Sequence, residues 1–166
     1  MTGPAMTRRP AVPEGSVRRI ASPANPAVKA VRALHQKKHR SASGLFLAEG
    51  LRILTEAVDQ GHAPQTLVLL PEMREAPMGA RLVAATLAAG GEVLEVSEAV
   101  LAKIARKDNP QGAVGAFPQI WWNLDDLDAR AAFSWVVLEA PRDPGNVGTV
   151  LRTADAVGAA GVILLD

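Results

Sequence analysis

The sequence predicts an α/β protein in which short strands alternate with helices around parallel sheets. Three observations support this prediction. Apolar runs of four or five residues recur along the chain, at the length typical of buried strands. Segments with helical spacing of apolar residues separate these runs, and Gly or Pro residues mark the boundaries. This alternation is typical of α/β folds, because parallel strands need helical crossovers between them.

The composition indicates a soluble, folded chain. It has 166 residues, of which 48% are hydrophobic, enough for one large domain or two small ones. No apolar run is long enough to cross a membrane, and the N-terminus lacks the apolar core of a signal peptide. Cysteine is absent and there are three histidines, so we expect no disulfide, no thiolate chemistry and no metal site. These features predict a cytoplasmic protein without a membrane partner.

Positive charge is concentrated towards the N-terminus. Residues 1–40 hold nine of the 18 Lys and Arg residues with a single acid, although the net charge of the chain is only +1. A basic end on a nearly neutral protein fits a phosphate-rich partner. The alternative is a solvated, disordered tail, and this is our interpretation of residues 1–18.

Residues 19–118 predict a first domain, a compact α/β sandwich. A helix is expected over 25–40, with Asn25 as its cap and Pro26 at its first position. Further helices are predicted at 51–60, 79–89 and 97–105, and a loop at 71–77. Strands are predicted at 45–48, 66–70, 92–96 and 113–117. The polar loop 106–112 is either a simple turn or a contact with RNA.

Residues 119–133 are interpreted as a linker, and 134–166 as the start of a second domain. A strand at 135–138 leads into a loop that Pro141, Pro144 and Gly145 keep irregular. Asn146 occupies the position expected of a helix N-cap, and the helix is predicted over 149–157. A second strand follows at 161–165. This order of strand, loop, helix and strand is that of a parallel βαβ unit.

The loop before this helix is a candidate ligand site. Loops at the carboxyl edge of parallel strands commonly hold ligand groups. There Arg152 can hold a phosphate or a ribose oxygen by forked hydrogen bonds. Equally, Asn146 can serve only as a cap while Arg152 pairs with Asp155 or Asp143. The loop is not a phosphate-binding P-loop, because no Lys-Ser/Thr pair follows its second glycine.

Residues 143–159, DPGNVGTVLRTADAVGA, resemble the first signature motif of the SpoU-type (TrmH-like) RNA ribose 2′-O-methyltransferases. The motif reads Asn-x-Gly, then Arg-Thr-Ala, then Gly-Ala, and it matches here at 146–148, 152–154 and 158–159. This family transfers a methyl group from S-adenosylmethionine to a ribose 2′-hydroxyl of RNA. The resemblance implies that Arg152 helps to activate this hydroxyl, and that Asn146 orients the hydroxyl or the arginine.

The resemblance extends over about residues 20–166. Residues 22–50 and 108–112 resemble the substrate-binding domain of many SpoU-type enzymes, a small α/β sandwich similar in fold to the ribosomal proteins that bind kink-turn RNA. It implies that the partner is RNA, for which ribosomal RNA is our expectation. It also implies an RNA-recognition role for several polar side chains: Lys29, Lys37, Lys38, Arg40, Arg52, Lys107 and Gln111.

In the family, two further motifs complete a trefoil-knot catalytic domain that binds S-adenosylmethionine and helps to build a homodimer. The resemblance therefore implies that 134–166 is only the first βαβ unit of that domain. Residues that bind the cofactor are expected beyond Asp166. Our hypothesis is an N-terminal fragment of a longer enzyme, inactive alone and poorly packed over 134–166. The alternatives are a natural short chain that binds RNA without methylating it, and a nucleotide-binding α/β domain.

Overall fold

The computed structural model describes residues 14–105, 112–128, 130 and 133–165. The chain divides into two compact units, Met1–Gln119 and Ile120–Asp166. The polar loop with Lys107 and Gln111 lies outside the described residues, as do the first 13 residues of the predicted tail.

The first unit is built on a five-stranded sheet. Its strands occur in the order β1-β4-β3-β5-β2. Strand β4 pairs in parallel with both β1 and β3, whereas β5 is antiparallel to β3 and to β2. The predicted α/β class is confirmed, and the sheet is mixed because β5 runs against its neighbours. The bounds are β1 Ser16–Ile20, β2 Leu45–Glu49, β3 Thr66–Leu69, β4 Glu92–Val96 and β5 Ala113–Pro118.

Helices cover both faces of this sheet. On one face, Val28 and Val31 of α1 pack with Leu101 and Ile104 of α6. On the other, α3 and α5 contribute a second cluster around Leu54. The strands serve both clusters, because successive residues of a strand point to opposite faces. The six helices are α1 Pro26–Ala33, α2 Lys37–Ser43, α3 Leu51–Asp59, α4 Pro71–Glu75, α5 Pro77–Ala88 and α6 Glu98–Ala105.

The prediction of one continuous helix over 25–40 is wrong, because α1 ends at Ala33 and α2 begins at Lys37. Hydrogen bonds made by two side chains, Arg40 and His35, stabilise the break between the two helices. The Arg40 guanidinium donates to the backbone carbonyls of Leu34 and His35, at 3.2 and 2.9 Å. The His35 ring nitrogen Nε2 lies 2.6 Å from the carbonyl oxygen of Ile104 at the end of α6. Carbonyls that a longer helix would use internally are therefore bonded elsewhere.

The predicted loop at 71–77 contains the short helix α4. Pro71 and Pro77 each occupy the first turn of a helix, where the missing N–H costs nothing. Ala76 between them is extended, as expected of a residue before proline. The next helix approaches α4 so closely at Gly79 that a Cβ there would lie 1.7 Å from the carbonyl oxygen of Met73.

Strand β1 begins inside the segment interpreted as a disordered tail. Ser16 donates its backbone N–H to the Gly91 carbonyl at 3.1 Å, and Arg18 pairs with Glu92 at 2.5 Å. Residues 16–18 therefore belong to the sheet. The sequence concealed this strand because only Ile20 among its residues is buried, so it carries no apolar alternation.

The second unit contains the predicted parallel βαβ arrangement. Strand β6, Val136–Glu139, leads to helix α7, Pro144–Ala156, and then to strand β7, Val162–Leu165. The two strands pair in parallel. Among the described residues of this unit only Ala154 is buried, and several large apolar side chains are exposed. Poor packing was the expectation for this segment. The exposed apolar side chains include Phe133, Val137, Leu151, Val157, Leu164 and Leu165.

Candidate functional site

Helix α7 begins earlier than predicted, and its cap is Asp143 rather than Asn146. The Asp143 carboxylate accepts from the backbone N–H groups of Gly145 and Asn146, at 2.6 and 3.0 Å. Pro144 supplies the first helical residue. A carboxylate is the better cap because it also complements the positive end of the helix dipole. Asn146 is therefore freed from capping and lies in the first turn, with its exposed side chain making no hydrogen bond among the described residues.

Arg152 lies on the exposed surface of the same helix. Its Nη2 donates to the hydroxyl oxygen of Thr149 at 3.2 Å. The hydroxyl hydrogen of Thr149 is directed to the Gly145 carbonyl oxygen, 3.1 Å away, which leaves a lone pair for the arginine. The alternative ion pairs with Asp155 and Asp143 are not formed. The guanidinium is therefore held by a neutral group, and in this contact no carboxylate compensates the positive charge that would attract an anionic ligand.

The guanidinium folds back along α7 towards the start of the helix. A Cβ on Gly148 would lie 3.4 Å from Arg152 Nη1, so the arginine head passes over this glycine. Helical side chains favour this direction. Six residues separate Asn146 from Arg152 by about 9 Å along the axis. Folding back by one turn brings the guanidinium to the level of Gly148 and Thr149, which shortens the separation from Asn146 along the axis.

The turn that feeds this end is strained. Ala140, directly after β6, has φ of 42°, a conformation that residues other than glycine rarely adopt. Its backbone N–H still donates to the Leu165 carbonyl at 2.7 Å, which extends the pairing with β7. Strain of this kind is most often found where a loop has to hold a functional geometry.

The basic side chains predicted to recognise RNA fall into three groups. Lys29, Lys37 and Lys38 are exposed on α1 and α2. Arg40 donates through Nη1 to the two backbone carbonyls at the end of α1, and its role in RNA recognition stays a prediction. Arg52 is exposed on the first turn of α3. It borders a cleft of about 370 Å³ together with Glu49, Gly50, Ile53 and Glu56.

A cluster that the sequence analysis missed lies on β1, β4 and α4. The Glu95 carboxylate, whose side chain is only 2% exposed, accepts from Arg19 Nε at 2.8 Å and from Arg74 Nη1 at 2.5 Å. The hydrogen bond from Arg19 is the main cause that lowers the pKa of Glu95, against the effect of burial, and Arg74 lowers it further. A signal was present in the sequence, because a glutamate between apolar residues of a strand needs partners.

Two classes of site are not found in the described ranges. No group of three or more His, Asp or Glu residues there is arranged to hold a metal ion. None of the helices in those ranges is both long enough and apolar enough to span a membrane.

Comparison with known proteins places these features in a family. Residues 25–115, more than half of the chain, match the model of the MRM3-like substrate-binding domain. A tRNA/rRNA methyltransferase of Synechocystis, itself uncharacterised, is 36% identical over 148 residues, which cover 87% of this chain and 52% of that protein. The 23S rRNA guanosine 2′-O-methyltransferase RlmP of Bacillus subtilis is 27% identical over 150 residues, 90% of this chain and 55% of RlmP.

Solved structures agree. The crystal structure of an rRNA methyltransferase from Sinorhizobium meliloti is 46% identical with a TM-score of 0.80, over 89% of this chain and 54% of that one. Its AdoMet-bound form gives a TM-score of 0.79. The chain belongs to the SpoU-type rRNA methyltransferase family, and its first unit carries the family's MRM3-like substrate-binding domain. It spans about half the length of the curated relatives it matches.

Proposed function

We propose that this chain serves an S-adenosylmethionine-dependent ribose 2′-O-methyltransferase that acts on ribosomal RNA. In this proposal the first unit recognises the RNA, and the first turns of α7 receive the ribose that is modified. Family membership supports the reaction class, and the name of RlmP specifies the 2′-oxygen and ribosomal RNA for that relative. The observation that carries the proposal is the exposed Arg152 guanidinium, held over Gly148 by Thr149.

The geometry suits Arg152 for electrostatic work on the sugar. An arginine is a poor base, because a guanidinium stays protonated in proteins. A positive guanidinium close to a ribose instead lowers the pKa of the 2′-hydroxyl and binds the neighbouring phosphate through forked hydrogen bonds. The Asn146 amide, free of capping, both donates and accepts, so it orients the hydroxyl or the arginine head. Arg152 and Asn146 are therefore our candidate catalytic residues.

The described residues of the second unit do not enclose a cofactor. Ala154 is the only side chain buried among them, whereas a molecule as large as S-adenosylmethionine needs a concave site that covers most of its surface. We therefore propose no cofactor-binding residue among the described residues.

RNA recognition is proposed for the first unit. The exposed Lys29, Lys38 and Arg52 supply positive charge without a carboxylate partner among the described residues. Lys37 is exposed beside them, and Lys107 and Gln111 are retained from the family resemblance. No Phe, Trp or Tyr is interleaved with the basic residues of 25–40 in the sequence, so contact with the phosphate backbone is expected there. Such binding weakens as salt rises, because counterions are released.

Two finer statements belong to the same proposal. We infer that the enzyme acts as a homodimer in the cytoplasm. The exposed apolar side chains of the second unit, such as Phe133 and Leu164, support association through this unit. Light scattering coupled to size exclusion tests the dimer, and a monomer at working concentration would contradict it.

The reaction is tested with the gene product in its natural length. Labelled S-adenosylmethionine is supplied with unmodified ribosomal RNA, and the RNA is then treated with alkali. A ribose methylated at the 2′-oxygen resists cleavage, so label should remain in dinucleotides. Binding of RNA without transfer of label would favour the alternative of a non-catalytic RNA-binding module. Binding of nucleotides but not of RNA would favour the alternative of a nucleotide-binding α/β domain.

A further inference from the structure

The Glu95 cluster borders a cleft in the first unit that no family motif assigns. The cleft has a volume of about 500 Å³ and is lined by Arg19, Pro71, Glu72, Arg74, Glu75 and Glu95. Arg19 and Glu95 lie near the carboxyl ends of the parallel strands β1 and β4, and α4 follows β3 directly. In α/β proteins this edge of a parallel sheet is where ligands bind.

The two arginines are arranged by a carboxylate that solvent does not reach. Each oxygen of Glu95 accepts from a different guanidinium, through Arg19 Nε and Arg74 Nη1. Each arginine therefore uses one N–H donor to bond Glu95, and its other N–H donors stay available to a ligand. The Arg19 side chain is 83% exposed and that of Arg74 is 46% exposed, although their anchor is buried. Anchoring reduces the freedom that two exposed arginines would lose on binding a ligand.

We propose that Arg19 and Arg74 form a binding site for a backbone phosphate of the RNA substrate, with Glu95 as the positioning residue between them. This inference rests on the proposed function, since it deepens RNA recognition by the first unit. Two guanidiniums around one phosphate match the planar, forked geometry by which arginine binds phosphate oxygens. None of the residues that line the cleft belongs to α1, α2 or α7.

Two exposed glutamates of α4, Glu72 and Glu75, also line the cleft, so three carboxylates stand against two guanidiniums. These carboxylates weaken the attraction of the cleft for any phosphate. The proposed site therefore depends on the forked hydrogen bonds of the two arginines and not on net charge.

The test uses the 166-residue chain and a fluorescein-labelled RNA hairpin with an unpaired loop, with affinity followed by anisotropy across a salt series. The double variant Arg19→Ala with Arg74→Ala should weaken binding by about tenfold. The slope of log affinity against log salt should also become shallower by about 1. A second double variant, Arg19→Lys with Arg74→Lys, keeps the charge and should recover only part of the affinity, because lysine cannot form the fork.

Arg81→Ala is the matched control. Arg81 is an exposed arginine of the same unit, paired with Asp59 outside the cleft, so its replacement removes one charge elsewhere and is compared with each single variant, Arg19→Ala and Arg74→Ala. Thermal melts establish that each variant is folded at the temperature of the assay.

The outcomes separate this site from the proposed function. The phosphate site would be overturned if the wild-type chain binds the RNA hairpin and the Arg19→Ala, Arg74→Ala double variant binds it no more weakly than Arg81→Ala does. Glu95 would then be only a structural link between the two arginines. Wild-type chain without affinity for RNA would overturn RNA recognition itself, and this inference with it.

Discussion

Gly79 offers the sharpest test of the packing in the first unit. Gly79 lies in the first turn of α5, where replacement of glycine by alanine normally stabilises a protein by up to about 1 kcal/mol. Here the new Cβ of Gly79→Ala would lie 1.7 Å from the Met73 carbonyl oxygen, whereas contacts below 3.0 Å are essentially never observed. The backbone of α4 would have to withdraw by about 1.3 Å.

That movement has a cost because the obstacle is backbone and cannot rotate away. Overpacking of a core typically costs about 1–3 kcal/mol, and the upper part of this range applies here. We therefore expect Gly79→Ala to lower the free energy of unfolding by about 2 kcal/mol, despite its better helix propensity. The measurement is urea denaturation, in which the midpoint should fall while the slope stays unchanged.

Ala84→Gly is the control, because Ala84 is exposed on the same helix α5. It should cost about 1 kcal/mol, the propensity difference alone. If the clash at Gly79 is real, both Gly79→Ala and Ala84→Gly lower the free energy of unfolding. If helix propensity alone mattered, Gly79→Ala would raise it and Ala84→Gly would lower it. A Gly79→Ala variant as stable as the wild type would refute the close approach of α4 and α5.

Three further predictions follow from particular side chains. The lowered pKa of Glu95 means that its contribution to stability is present above the ordinary value of 4.5 and is lost as pH falls through the folded-state pKa below it. Urea midpoints measured against pH should show this loss in the wild type, and Glu95→Gln should lack it. Arg40→Ala should lower thermal stability by about 1–2 kcal/mol, since two carbonyls lose a charged donor, and should change RNA affinity less than Lys38→Ala does. A larger loss of RNA affinity in Arg40→Ala would reverse this assignment. Thr149→Val should lower methyl transfer several-fold without weakening RNA binding, because the acceptor for Arg152 is lost. Thr149→Ser should restore methyl transfer, because the serine hydroxyl keeps this acceptor. Turnover of the valine variant equal to that of the wild type would remove Thr149 from the site.

Local patterns predicted most of the elements because each is marked in the sequence. The strand at 92–96 and the βαβ unit of the second half were found from apolar runs and from the Gly and Pro residues that bound them. The fold class and the family are confirmed. Strand β1 lies at the edge of the sheet and is mostly exposed, so its sequence does not alternate between apolar and polar residues. The sequence analysis therefore missed its start at Ser16.

The remaining errors have both local and distant causes. The break between α1 and α2 depends on Arg40 and on the approach of His35 to Ile104, which no local propensity encodes. The cap of α7 was misassigned because Asp143 and Asn146 are both good caps, and only the position of Pro144 decides between them. The Glu95 cluster joins residues 76 and 21 positions apart, so it appears only once the sheet is formed.

Turnover of Arg152→Ala in the natural-length protein tests the central claim most directly. Transfer of methyl groups to the ribose 2′-oxygen and the dissociation constant for RNA are measured together, with Arg142→Ala as a control for an exposed arginine on the preceding turn. The account predicts that turnover falls on the order of a hundredfold while RNA affinity changes only modestly, because the guanidinium acts on the reacting sugar. Losses of similar size in turnover and affinity would contradict it and leave Arg152 as a simple binding contact.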